Sequence, residues 1–445
     1  MPKSSLPPRP GGLPVLGNAY RLLTDPLGFP LDCARRYGDV VDLNIPLTPT
    51  ILISHPDLIE EALVQKHRSY IKDRWTRDLS VLLGSGLLTS DGELWRRQRR
   101  LVQPAFHRER IASYGETMVR YTERLAASWT PGEERDIHDD MMRLTREIVA
   151  KTLFDADLAD DARDVDTALQ IVMDRFADIP PGFPVLSNLP TAGKRRFERA
   201  VSWLDGFIRQ LIDERRASDR DPGDLLSMMM AATDEEGGGR MTDQQLRDEV
   251  MTLFLAGHET TANTLSWTWV LLARNPAARA ALEAELDEVL AGRAPTLEDI
   301  PRLRYADQVI RESMRLFPPA WAIGREATTD TSIGGYPVPR GTSLWISQYV
   351  VHRDPRYFDE PEAFRPERWA DDLAKRLPRY AYFPFGGGPR VCIGNTFATL
   401  EAVLLLATLA QRFRIDLVPG HRIEPFASIT LRPRRGVRAR IQPRR

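Results

Sequence analysis

The segment Phe385-Gly386-Gly387-Gly388-Pro389-Arg390-Val391-Cys392-Ile393-Gly394 concentrates more chemistry than any other stretch of the chain. Three successive glycines and a proline make a tight loop with unusual backbone angles. Its cysteine stands directly before a helix that should start near Asn395. The unpaired N–H groups and positive potential of a helix N-terminus stabilise a thiolate, and Arg390 adds a cation two residues earlier. The glycines would let a bulky flat ligand approach the backbone. An isolated cysteine is more often a small buried hydrophobe, but this loop offers Cys392 a setting in which a thiolate has work. Neither G-x-G-x-x-G nor a Walker pattern fits the glycine spacing, which excludes a phosphate loop.

Three further clusters need weighing. Ala256-Gly257-His258-Glu259-Thr260-Thr261 lies between Leu253, Phe254 and Leu255 on one side and Leu265 and Trp267 on the other. Threonines in a helix often bond back to a carbonyl, yet a polar cluster inside a buried helix costs energy unless it has partners or a task. A zinc site of the H-E-x-x-H type would need histidine where Ala262 stands. Glu312-Ser313-Met314-Arg315 places opposite charges on one helix face, by itself a pair of little value. Glu93-Leu94-Trp95-Arg96-Arg97-Gln98-Arg99-Arg100 surrounds a tryptophan with charge, and alone it reads as a solvated basic face.

Taken together these segments resemble the cytochrome P450 family. Phe385, Gly388, Arg390, Cys392 and Gly394 match the haem signature F-x-x-G-x-R-x-C-x-G, and residues 256–261 match A/G-G-x-D/E-T-T. Glu312 and Arg315 match E-x-x-R, with Pro366-Glu367-Arg368-Trp369 as the partner segment, and Trp95 and Arg99 match W-x-x-x-R. The resemblance implies haem b held between a long central helix and the cysteine loop. Cys392 would be the axial ligand to iron, pushing electron density toward bound oxygen. Trp95, Arg99, Arg325 and Arg390, with Lys72 as a further candidate, would meet the haem propionates, which are costly to bury without cations. Phe385 and Gly394 complete the cofactor-binding set.

The resemblance also assigns roles in catalysis. Thr260 would hydrogen-bond the iron-bound peroxide and Glu259 would help relay protons from solvent. Glu312, Arg315 and Arg368 would form a buried triad that fixes the loop presenting Cys392. The implied reaction inserts one oxygen atom from O2 into an apolar organic substrate, of fatty acid, terpenoid, steroid or polyketide-like class. The Glu259–Thr260 pair favours this over a peroxide-driven enzyme, an isomerase or dehydratase, and a haem sensor without turnover. By position the pocket falls at 86–88 (Leu87, Leu88), 173–183, Phe254, Ala256, Gly257, 320–323 (Trp321, Ile323) and 427–430 (Ile429).

The elements that must position these residues are mostly helical. After a proline-rich extended segment, 1–17, short β-like runs at 40–45 and 50–54 give way to helical periodicity. Pro180-Pro181-Gly182-Phe183-Pro184 and Gly237-Gly238-Gly239 mark loops. Thr242 and Gln245 have the form of a capping box opening a helix that runs to Arg274, about 45–50 Å long. Further helices are expected at 306–317 and 395–413, with a small sheet at 333–347 turning on Gly334-Gly335. The order describes a mainly α (α+β) chain forming a single domain over 1–445.

Composition agrees. At 42% hydrophobic and 28% charged, with a formal charge of −1, the 445-residue chain is an ordinary globular protein and not a general nucleic-acid binder. Its 2 cysteines make no disulfide framework. No stretch approaches the roughly 18–20 apolar residues of a membrane span, and the start lacks a signal-peptide layout. These features point to a soluble, cytoplasmic, bacterial-type member without a membrane anchor. Electrons are expected from a separate ferredoxin or flavodoxin and its reductase, docked electrostatically on Arg96, Arg97 and Arg100.

Overall fold

The computed structural model describes residues 6–157, 162–178, 191–218, 223–233 and 239–444. The anticipated loop at 180–184, the pocket positions 179–183, and Gly237 and Gly238 lie outside them. The chain is helix-rich with small sheets. Its axis is the helix Asp243–Arg274, opened by the Thr242–Gln245 capping box. Most of this helix is buried, its apolar residues spread round the axis rather than along one face. The helix Ile137–Phe154 packs along it, and Thr145 Oγ1 donates to the carbonyl of His258 across that contact at 2.9 Å. Asn275, restricted by the following proline, ends it, and Pro276 starts the helix Pro276–Leu290 at once.

A five-stranded sheet joins distant parts of the chain. Its order is Val40–Asp42, Thr50–Ile53, Ser343–Ile346, Ile323–Ala327, Tyr70–Lys72. Ile51 pairs parallel with Leu344, and the remaining pairings are antiparallel. The run expected at 40–45 is shorter as a strand, because Asn44 adopts a positive φ of 56° and turns the chain. Gly334 and Gly335 both have positive φ and close a hairpin between Thr331–Ile333 and Tyr336–Val338.

Two helices carry the remaining site segments. Arg304–Leu316 holds Glu312 and Arg315, and Pro318-Pro319 follows it. Asn395–Ala410 begins just after Cys392 and is almost wholly buried. It ends three residues short of the expected 413, because Phe413–Leu417 leaves as a strand to pair with Arg438–Pro443. On that last strand Ala439 and Ile441 are buried while Arg438 and Arg440 are exposed, the alternation of a one-sided sheet.

Candidate active site

The cysteine loop is held by its own backbone. Cys392 N donates to Phe385 O at 3.0 Å, and Gly386 N to Phe383 O at 2.9 Å. The glycines serve the protein more directly than a ligand. A side chain at Gly387 would collide with the Tyr380 ring at 2.2 Å, and one at Gly388, whose φ is 66°, would meet the Leu63 carbonyl at 2.0 Å. Cys392 presents accessible surface, yet burial pushes its thiol pKa up. The Gly394 N–H and a cation do pull the pKa down, as the sequence suggests. That cation is Arg99, not Arg390, and burial outweighs both. Cys392 is therefore a thiol until a metal ion takes its proton's place.

Beside this loop the fold gathers cations. Lys72 and Arg325 stand directly opposite each other on adjacent strands, both buried, and like charges so placed repel. Burial, then the charges of Arg325 and Arg390, push the Lys72 pKa well down. Burial, then Arg390, push that of Arg325 down to about 10. Lys72 Nζ makes no hydrogen bond among the described residues, and Arg325 donates only to the Gly324 carbonyl at 2.8 Å. Arg390 donates to Ser90 O at 2.8 Å, pairs with Asp91, and lies 4.4 Å over the Trp95 ring. Arg99 donates to Val391 O at 3.0 Å. Repelling buried cations beside an enclosed thiol fit a flat dianion that carries a thiolate-binding metal, which describes haem. Lys72 enters this set as a full member, and Asp91, missed in the sequence, anchors Arg390 and also accepts from Lys72 N at 3.1 Å.

On the central helix only one stripe is open. Ala256 is exposed although the residues around it on this helix are largely buried, and Thr260, one turn on, is partly accessible. Thr260 Oγ1 donates to Ala256 O at 3.0 Å. Glu259 does not share that face. It is 3% exposed and takes a hydrogen bond from Thr430 Oγ1 on Oε1 at 2.6 Å. Consecutive helical residues diverge by about 100°, which separates the two. Glu259 therefore lies behind the open stripe rather than on it. Burial pushes the Glu259 pKa up, against the Thr430 bond and the charge of Arg432.

Glu312 sits at the centre of a network with no exposure at all. Arg315 donates to both its oxygens at 2.9 Å, Arg368 to Oε1 and Trp369 Nε1 to Oε2 at 2.9 Å, and Arg365 N to Oε1 at 3.0 Å. Arg315 continues to His352 O at 2.8 Å, and His352 Nε2 accepts from Phe383 N at 3.0 Å. The triad thus reaches the start of the cysteine loop through His352.

Other expected positions divide. Leu87, Leu88, Trp321, Ile323 and Ile429 are partly accessible, and Trp321 Nε1 donates to Ser428 O at 2.9 Å. Phe254 is not a lining residue: it is fully buried, with its ring centroid 6.3 Å from Phe154 and 6.2 Å from Phe207. Gly257 is partly accessible, and a side chain there would meet Val149 at 3.0 Å. Arg97 is partly accessible and donates to Gly239 O at 2.9 Å and Arg240 O at 3.0 Å, while the exposed Arg96 pairs with Glu93 at 2.5 Å.

Comparison with known proteins agrees with this geometry. The family model described as Cytochrome P450 matches residues 7–437. The chain is 45% identical to cyclooctatin synthase of Streptomyces melanosporofaciens, over 95% of this chain and 92% of that protein. It is 39% identical to cyclooctat-9-en-7-ol 5-monooxygenase of the same organism, over 94% and 93%. It is 34% identical to pentalenene oxygenase of Streptomyces avermitilis, over 98% and 97%. No helix among the described residues is long and apolar enough to cross a membrane.

Proposed function

The chain belongs to the cytochrome P450 family, and from that premise we propose that this haem-thiolate monooxygenase oxidises a cyclic terpenoid hydrocarbon or alcohol. The observation that carries the site is Cys392, an enclosed thiol with accessible surface, beside buried cations short of counter-charge. Haem b bound there supplies the activation of O2 and the transfer of one oxygen atom, the other leaving as water.

The chain's own residues do the rest. Cys392 ligates the iron, its loop fixed by Phe385, with Gly394 opening the helix behind it. Lys72, Arg99, Arg325 and Arg390, with Trp95, hold the propionates, and the Glu312–Arg315–Arg368 triad keeps the loop in register. The Ala256–Thr260 stripe leaves room opposite the loop and presents the Thr260 hydroxyl there. Glu259 holds and releases a proton behind that stripe. Leu87, Leu88, Trp321, Ile323 and Ile429 exclude water and favour an apolar skeleton. The named substrates of the relatives support a terpenoid over a fatty acid, steroid or polyketide.

The same reading makes the chain one domain over 1–445 and puts it in the cytoplasm, the latter in keeping with Cys33 and Cys392 forming no disulfide. It receives electrons from a separate ferredoxin or flavodoxin with its reductase, on the exposed Arg96 and Arg100. A strongly red-shifted Soret band in the reduced, carbon-monoxide-bound protein tests the thiolate. Its absence in well-folded, haem-loaded protein refutes it. Cyclic terpenoids should then shift the iron spin state and yield products labelled from ¹⁸O2. Binding of fatty acids or steroids with no terpenoid response would refute the substrate class.

A further inference from the structure

The Glu259 carboxyl is held by a part of the chain far from it in sequence. Thr430 Oγ1 donates to Glu259 Oε1 at 2.6 Å and accepts from Asn263 Nδ2 at 3.0 Å. An amide nitrogen only donates, so the Asn263 bond leaves the single Thr430 proton available, and it points at Glu259 with Oε1 as acceptor. Oε2 makes no hydrogen bond among the described residues, which leaves it as the oxygen that takes up or gives away a proton. Thr430 stands at the tip of the hairpin formed by Pro425–Ala427 and Leu431–Pro433. The same tip grips other elements: Ser428 Oγ donates to Met173 O at 3.1 Å, and Ser428 O accepts from Trp321. Arg432 donates to Asp174 at 2.6 Å. Ile429, one of the proposed pocket residues, lies between Ser428 and Thr430.

We propose that Thr430 is a positioning residue for Glu259, fixing the carboxyl in one orientation with Oε2 as its proton-exchanging atom. The hairpin tip then ties that acid to the elements carrying Ile429 and Trp321, and to the helix Ala162–Asp178 that carries Met173 and Asp174. The inference rests on the reading of Glu259 as the acid that handles protons. The charged and titratable groups around it are few. Arg432 acts on Glu259 by its charge, Asp174 pairs with Arg432, and His138 on the helix Ile137–Phe154 also feels the charge of Arg432. Removing the Thr430 hydroxyl leaves these charged groups in place and takes away the bond that favours the ionised carboxyl, together with the acceptor of the Asn263 amide.

The test uses haem-loaded wild type, T430V, T430S and E259Q. The infrared band of a protonated carboxyl, identified by its loss in E259Q, is followed against pH alongside the pH profile of turnover and the share of electrons lost as hydrogen peroxide. T430V should move the band's midpoint and the acid limb of turnover up by about one pH unit and raise peroxide loss. T430S should restore both. Wild-type titration in T430V, or equal shifts in T430S and T430V, would overturn the proposal, as would the lack of any Glu259-dependent band. If T430V does not load haem, N263A, which frees the Thr430 hydroxyl to rotate, should shift the midpoint the same way by less. An unshifted N263A then overturns it. An E259Q enzyme with normal coupling and pH profile would instead remove the acid role of Glu259 itself.

Discussion

Replacing Glu312 by glutamine keeps the side chain's shape and removes its charge. Both carboxylate oxygens only accept, and together they take two bonds from Arg315 and one each from Arg368, Trp369 and the Arg365 N–H. An amide group cannot do this. Its NH2 must face donors on one side, losing at least the Arg315 and Trp369 bonds that meet at Oε2. The larger effect is electrostatic, because the side chains of Arg315 and Arg368, 0% and 7% exposed, lose their shared counter-charge. Breaking a buried pair in this way costs about 3–5 kcal/mol, out of a total stability of about 5–15 kcal/mol. The folded-to-unfolded ratio should fall by roughly a hundred- to several-thousand-fold. The damage is directed, since Arg315 holds the His352 carbonyl and His352 holds Phe383 at the loop entrance. Urea unfolding gives the stability, and the carbon-monoxide band divided by protein gives the thiolate-ligated fraction. E312Q should lose both, whereas W369F, which gives up one bond to Glu312, should cost about 1 kcal/mol and keep its haem. An E312Q protein with the wild-type urea midpoint and a full thiolate band would refute the reasoning.

Other outcomes follow from the same geometry. T260A should keep substrate binding while releasing hydrogen peroxide in place of product, measured as product formed per reductant consumed. Burial and neighbouring cations lower the Lys72 pKa, so the unfolded chain binds more protons and haem-free stability rises with pH through that window. K72M should flatten this slope and stabilise the haem-free chain, yet weaken haem retention in a transfer assay. His258 is buried and neutral, its pKa pushed down to about 4 by burial, so stability it contributes at neutral pH is lost as pH falls below 6.5. Between pH 7 and 5 that is about 2 kcal/mol, and urea unfolding should show a loss smaller by that amount in H258Q than in wild type, since the buried His138 and His352 act the same way in both. Charge reversal at Arg96 and Arg100 should slow reduction by an acidic ferredoxin at low salt and lessen its dependence on ionic strength.

What the sequence discloses and what it hides follow from the range of each interaction. The cysteine loop, the central helix and the Glu312–Arg315 pair are local patterns, with spacing set by turn and helix geometry, and the fold class can be read from them. The Lys72–Arg325 pairing depends on strands 253 positions apart, and nothing in either short strand announces it. Thr430 is similar: its meaning comes from Asn263 and Glu259, reached only when the hairpin folds onto the central helix. Phe254 shows the opposite failure. It stands two residues before Ala256 in sequence, but helical rotation turns it into the aromatic core. Counting residues from the signature places it in the pocket, while the 100° step between neighbours takes it out.

The cation cluster joins stability to function. A fold optimised without a ligand would not set Lys72 opposite Arg325 in a buried strand pair beside Arg390, because each addition raises the electrostatic cost of the others. The same arrangement becomes favourable once a buried dianion lies among them, and the energy gained on binding includes the repulsion relieved. Cys392 obeys the same logic. Its pKa is raised in the folded chain, so thiolate ligation depends on the metal and releases a proton. The haem-free fold is therefore strained in charge at both ends of one site. Haem binding should release protons at the cysteine and take them up at the lysine, and K72M should leave the first and remove the second. Proton counts from binding heats in buffers of different ionisation enthalpy separate the two: an unchanged count in K72M would show that Lys72 is already charged before haem arrives, and the proton uptake assigned to it would fail.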